Sequence, residues 1–164
     1  MIIFLIFSGI AARVLTVYDG DIPTCKKHKM TGIIQLLGRV MIALIFILAG
    51  LGKLNDPAGT MGYMQSAGVP GILLWPTIAL EVLGGLALAA GYKTRYVAVA
   101  LAIFSIVAAA MFHRNFADQM QMILFLKNIA IAGGLLLLAV GGNTGFSIDN
   151  KRNSTDFFGT RQGK

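Results

Sequence analysis

Long apolar stretches at 33–52, 72–91, 96–112 and 120–140 alternate with short polar connections along this chain. Each is long enough, or nearly so, for a helix rising ~1.5 Å per residue to cross a hydrocarbon layer of ~30 Å. Small residues recur at helical spacing inside them: Gly85 with Ala89, Ala98 with Ala102, Ser105 with Ala109, and Ala130 with Gly134. Close packing of helices in lipid requires such residues, because no hydrophobic force draws helices together there. The pattern predicts an all-α membrane protein, a four-helix transmembrane bundle over 31–142, and leaves its oligomeric state open.

The first connection after a span, 55–71, carries helix signals of its own. Asp56 is placed to cap a helix, Pro57 suits its first position, and Gly68 after Ala67 suits its end. A short interfacial helix over about 57–67 is expected in this first outer loop, lying over the end of the bundle. Trp75 and Tyr92 bracket the second span as interfacial aromatics.

Composition agrees with a membrane solvent. The 164 residues are 56% hydrophobic and 13% charged, with a mean hydropathy of +0.74, whereas soluble domains are about a quarter charged. A net charge of +7 raises the question of nucleic acid. No basic face with interleaved aromatics exists, and the charges follow the spans instead. Lys26, Lys27, Lys29 and Arg39 precede or open the first span, Lys93 and Arg95 lie between the second and third, and Lys151, Arg152, Arg161 and Lys164 follow the fourth. All fall on one side, so both termini are expected in the cytoplasm of a multi-pass inner-membrane protein. Arg39 is expected to snorkel back to the headgroups.

The ends are read separately. Residues 1–30 form an N-terminal extension, apolar over 1–18 but interrupted by Arg13, with a polar connector at 19–29. One expectation is that translation starts at Met30; another is a surface helix on the cytoplasmic side. Residues 143–164 read as a disordered cytoplasmic polar tail. Cys25 is the only cysteine, which excludes a disulfide within one chain.

Glu81 breaks the second stretch, and no other charged residue lies between 72 and 92. An ionised carboxylate at bilayer depth costs several kcal/mol unless it finds a partner. Counting from the outer end, Glu81 lies ~13 Å deep and Lys127 of the fourth span ~10 Å deep, which makes Lys127 the expected partner. Lys53 and His113 end the first and third spans on the same side, joined by Asn128, Arg114 and Tyr63. Glu81, Lys127, Asn128, His113 and Lys53 therefore form the candidate polar site. Lys53 is read as a snorkelling residue and His113 as a surface residue. No Cys/His metal spacing, phosphate loop or Ser/His/Asp arrangement can be assembled, so no metal ligand and no catalytic residue is assigned.

Several segments occur in a recognisable order: Arg39; Phe46 with Gly50, Lys53 and Leu54; Gly68-Val69-Pro70-Gly71; Glu81 with Gly84 and Gly85; and the 91–95 turn. His113, Phe125-Leu126-Lys127-Asn128, and Gly141 leading to Ser147-Ile148-Asp149 follow. Over about 33–149 the chain resembles the DoxX family of small four-helix membrane proteins, in its YqjF-type bacterial inner-membrane branch. The resemblance implies this fold and location, and a quinone-linked redox connection with quinone as ligand and a membrane or redox protein as partner. It supplies no catalytic mechanism. The expected role is thus an accessory membrane protein rather than a stand-alone enzyme, with a small proton-coupled carrier or a purely structural subunit as alternatives.

Overall fold

The computed structural model describes residues 24–141 and 147–149, with side chains from residue 32 onward. Its helices are α1 (Thr24–Asn55), α2 (Pro57–Ser66), α3 (Leu74–Ala90, preceded by a 3-10 turn at Gly71–Leu73), α4 (Thr94–Phe112) and α5 (Gln119–Gly141). Four helical segments, Gly32–Asn55, Gly71–Ala90, Thr94–Phe112 and Gln119–Gly141, are long and apolar enough to cross a membrane. The all-α four-span expectation is borne out. The polar connector is not: α1 already begins at Thr24, since no Pro or Gly interrupts 24–31 and lysines extend a helix readily. The readings made for residues before Thr24, the start at Met30 and the surface helix, lie outside the described residues.

The spans form two close pairs, α1 with α3 and α4 with α5, with less extensive packing between the pairs. Glycine explains the first. A Cβ at Gly50 would sit 2.6 Å from Val82 Cγ2 and 3.3 Å from the Glu81 Cβ, and one at Gly85 would sit 2.7 Å from Ile47 Cγ1 and 3.1 Å from the Ala43 carbonyl oxygen. These two positions let the backbones of α1 and α3 approach. On α4 the small stripe Ala98, Ala102, Ser105 and Ala109 is buried as its spacing predicts. The stripe on α5 is Ala132, Leu135 and Ala139, and Ala130 faces outward. Leu137 and Val140 are 77% and 80% exposed, the outward face that a lipid solvent rewards and water would not.

At the end holding the N-terminus of α1, Arg39 is only 1% exposed. It does not snorkel; it is covered by the turn between α3 and α4 and by the segment after α5. Gly91 adopts φ 72° as the left-handed end of α3, and a Cβ there would meet Arg39 Nη1 at 2.7 Å and Ser147 Cβ at 2.5 Å. Lys93, also left-handed at φ 45°, offers α4 no side-chain cap. Asp149 supplies it from a distance: its carboxylate accepts from the backbone N–H of Lys93 at 2.8 Å and of Thr94 at 2.9 Å. Its own N–H returns to the Gly91 carbonyl at 3.1 Å. Within the tail expected to be disordered, Ser147 to Asp149 are ordered, because the start of α4 needs an acceptor that its own neighbours lack; the rest of that expectation, over 143–146 and 150–164, lies outside the described residues.

Burial opposes the charged form of Asp149, but the hydrogen bonds from Thr94 and Lys93 and the nearby Arg39 guanidinium outweigh it and hold the carboxyl below the ordinary aspartate range. Arg95 adds a second tie here, donating from Nε to the Ala139 carbonyl at 3.1 Å. A cation at the C-terminal carbonyls of α5 also suits the helix dipole.

The opposite end is covered by α2, as expected. Asp56 caps it by accepting from Gly59 N–H at 2.9 Å, Pro57 opens it, and Gly68 leaves it at φ 80°. Met64 is buried with Val69, Leu74 and Ile78, and the Tyr63 ring stacks on Phe112 at 5.4 Å. The helix is thus fixed on one side to α3 and on the other to α4.

Candidate functional site

Glu81 and Lys53 face each other where α1 and α3 run closest. Gly50 lies one turn before Lys53 and Gly85 one turn after Glu81, so the glycine contact that joins the antiparallel helices also aligns the two charges. The Lys53 ammonium donates to both Glu81 carboxylate oxygens, at 2.8 and 2.7 Å, and to the Ala49 carbonyl at 3.4 Å. An ammonium has three donors, and all of them are used. The Lys53 side chain is 26% exposed and that of Glu81 only 5%.

This corrects the expected pairing of Glu81 with Lys127. Equal depth is not adjacency: α3 packs on α1, whereas α5 packs mainly on α4. Lys53 likewise does not snorkel, because the buried carboxylate holds it inward. The legible signal was the spacing Gly50-x-x-Lys53 read against Glu81-x-x-x-Gly85 on antiparallel helices.

Beside the pair lies a cavity of about 420 Å³ between the two helix pairs and beneath α2. Its wall includes every residue of the candidate polar site, namely Lys53, Glu81, His113, Lys127 and Asn128. Arg114 is not part of it. Phe46, Phe104 and Ile131 supply apolar surface, and Thr60, Tyr63 and Met64 of α2 form its cover. Sequence reasoning missed Thr77 and Ser105, which carry no signal beyond a polar atom in an apolar run. The Ser105 hydroxyl donates to the Leu101 carbonyl at 2.9 Å and is thereby satisfied within its own helix.

His113 is half-buried in this wall rather than on the surface. Its Nδ1 lies 2.8 Å from the Gln121 side-chain oxygen. That oxygen can only accept, so Nδ1 carries the hydrogen and Nε2 is the ring atom left for other work. Asn128 donates from its side-chain nitrogen to the Leu124 carbonyl at 2.9 Å. The arrangement suits a ligand with an apolar body and a polar head. Aromatic and aliphatic side chains make up most of the wall, and Lys53, Glu81, His113, Lys127 and Asn128 are among its polar members.

The sequence model of the DoxX family matches residues 34–114. The chain is 43% identical over 128 residues to "Inner membrane protein YqjF" of Escherichia coli (strain K12), covering 78% of this chain and 97% of that protein. It is 35% identical over 127 residues to "Inner membrane protein YphA" of the same organism, covering 73% and 90%. A shorter match, 35% over 68 residues, links it to "Putative oxidoreductase CatD" of Bacillus subtilis (strain 168), covering 42% and 51%. No solved structure matches.

Proposed function

This chain belongs to the DoxX family of integral membrane proteins, and from that premise we propose that it is an accessory protein of inner-membrane redox processes that holds a quinone headgroup in the cavity under α2. The observation that carries this reading is the convergence of Lys53, Glu81, His113, Lys127 and Asn128 on one largely apolar cavity. The name of CatD, which describes an oxidoreductase, supports a redox connection, and the names of YqjF and YphA support the inner membrane. The lysines and arginines gathered at the Arg39 end support a cytoplasmic location for both termini.

Protein reconstituted in nanodiscs should show a raised melting temperature with decylubiquinone, and Asn128→Leu should weaken that response. Equal stabilisation of both forms would remove the cavity from the quinone reading.

A second reading is favoured by the closure of the Lys53–Glu81 pair, which leaves neither carboxylate oxygen without a donor. Here the pair only locks α1 to α3, and function lies with a partner protein. The swapped double variant Lys53→Glu with Glu81→Lys separates the two. A folded swap that still responds to decylubiquinone makes the pair a helix lock and no part of the quinone contact, whereas a folded swap without the response makes the pair part of the ligand site.

A further inference from the structure

Two lysines belong to the cavity wall, and their situations differ. Lys53 is fully engaged by Glu81 and Ala49. Lys127 makes no hydrogen bond or ion pair among the described residues, although the cavity wall includes it. The described acids are all committed elsewhere. Both Glu81 oxygens are on Lys53, Asp118 accepts from Met120 N–H at 2.8 Å, Asp56 caps α2, and Asp149 caps α4 at the far end.

Depth makes this costly. Lys127 lies eight residues into α5, ~12 Å along the helix, and is exposed rather than covered by protein. An ammonium within a span and without a counter-charge is unfavourable in hydrocarbon. An anion in the cavity would offset that cost, and Asn128, the next residue on α5 and also in the wall, adds a polar atom beside it.

The cavity also reaches the outer surface of the bundle. Leu73, Val107 and Met111 belong to its wall and are 46%, 48% and 39% exposed. All three are apolar, so this side opens toward acyl chains. A ligand arriving there comes from the bilayer with an apolar body. A cavity of about 420 Å³ falls in the range of ~300–1,000 Å³ that holds one small molecule, and not a two-chain lipid.

We propose that the cavity takes a single-chain amphiphile with an oxyanion head, with Lys127 as its counter-ion. The inference rests on the cavity being a ligand site, as in the quinone reading, but it names a charge requirement that a neutral quinone carbonyl does not impose. Lys127 is then the residue that sets specificity, and the Lys53–Glu81 pair is the neutral wall beside it.

The test uses the full chain in phosphatidylcholine nanodiscs with hexadecyl sulfonate, hexadecanol and decylubiquinone, read by thermal stabilisation over a concentration series. The sulfonate and the alcohol differ mainly in the head. The expected result is at least tenfold tighter binding of hexadecyl sulfonate than of hexadecanol, a preference lost in Lys127→Gln and kept in Lys127→Arg. Equal binding of sulfonate and alcohol overturns the proposal, as does an unchanged preference in Lys127→Gln. Loss of sulfonate binding on adding phosphatidylglycerol to the disc also overturns it, since a two-chain lipid would then be the occupant. If Lys127→Gln fails to fold, the wild-type ratio and the Lys127→Arg variant decide. A decylubiquinone response that survives Lys127→Gln while the sulfonate preference is absent sinks this inference alone and leaves the quinone reading standing.

Discussion

The two ends of the bundle each bury a charge, and they handle it differently. At one end Arg39 is 1% exposed and packed beneath Gly91 and Ser147, so closely that Gly91 has no room for a Cβ. At the other, Glu81 is neutralised by Lys53 directly, and a cavity of about 420 Å³ remains beside the pair. The cores differ in the same sense. Alanines and leucines such as Ala98, Leu101, Ala102 and Leu135 fill the space between all four spans toward the Arg39 end, whereas under α2 the buried cluster of Met64, Val69, Leu74 and Ile78 lies to one side. Charge burial thus fastens the molecule at one end and borders an open space at the other.

The largest expected effect comes from the contact that both ends share. Gly85→Leu would drive a side chain into Ile47 and the Ala43 carbonyl, and misalign Lys53 with Glu81. Overpacking of this kind costs ~1–3 kcal/mol and adds to the loss of the misaligned pair, itself ~3–5 kcal/mol when broken, so little folded protein should survive a mild heat step in detergent. A variant as stable as the wild type would show that the close approach of α1 and α3 does not hold the bundle.

The next effect separates the ends. Glu81→Ala strands the Lys53 ammonium, and breaking a buried pair costs ~3–5 kcal/mol. The low end applies because the Lys53 side chain is 26% exposed. The double variant Lys53→Met with Glu81→Met should recover most of the loss in an unfolding titration with dodecyl sulfate. No recovery would mean that the carboxylate has an essential partner other than Lys53.

The smallest effect is at Asp149. Its carboxyl is held below the ordinary range when folded, so its contribution is fully present above the unfolded value of ~3.9 and fades as pH falls through the lower folded value. Asp149→Asn should lose this acid-side decline and expose the amides at the start of α4 to faster hydrogen exchange, while the amides of α2 are unchanged. An identical acid limb in both proteins would detach Asp149 from the Arg39 end.

Much of this was legible in the residues because membrane helices obey local rules. Apolar run length set the spans, and Asp56, Pro57 and Gly68 marked α2, since caps and left-handed stops depend on residues only a few positions apart. The positions of Glu81, Lys53, His113 and Lys127 along their helices also followed from counting. Azimuth and neighbour did not. Whether Glu81 meets Lys53 or Lys127 depends on which helices pair, and that is settled by where Gly50 and Gly85 allow backbones to touch.

The same limit explains Arg39, read as snorkelling because its own helix places it near an edge. Its burial is supplied by Gly91 and Ser147, 52 and 108 positions further along. Asp149 completes the point, capping a helix whose first residue lies 55 positions earlier. The sequence by itself determined the spans, their order and the position of each charge along its helix, because those depend on local spacing and on the cost of putting polar groups in hydrocarbon. Only the tertiary structure decided which charges pair, which stays unpartnered and where space remains, because these depend on contacts between residues far apart in the chain.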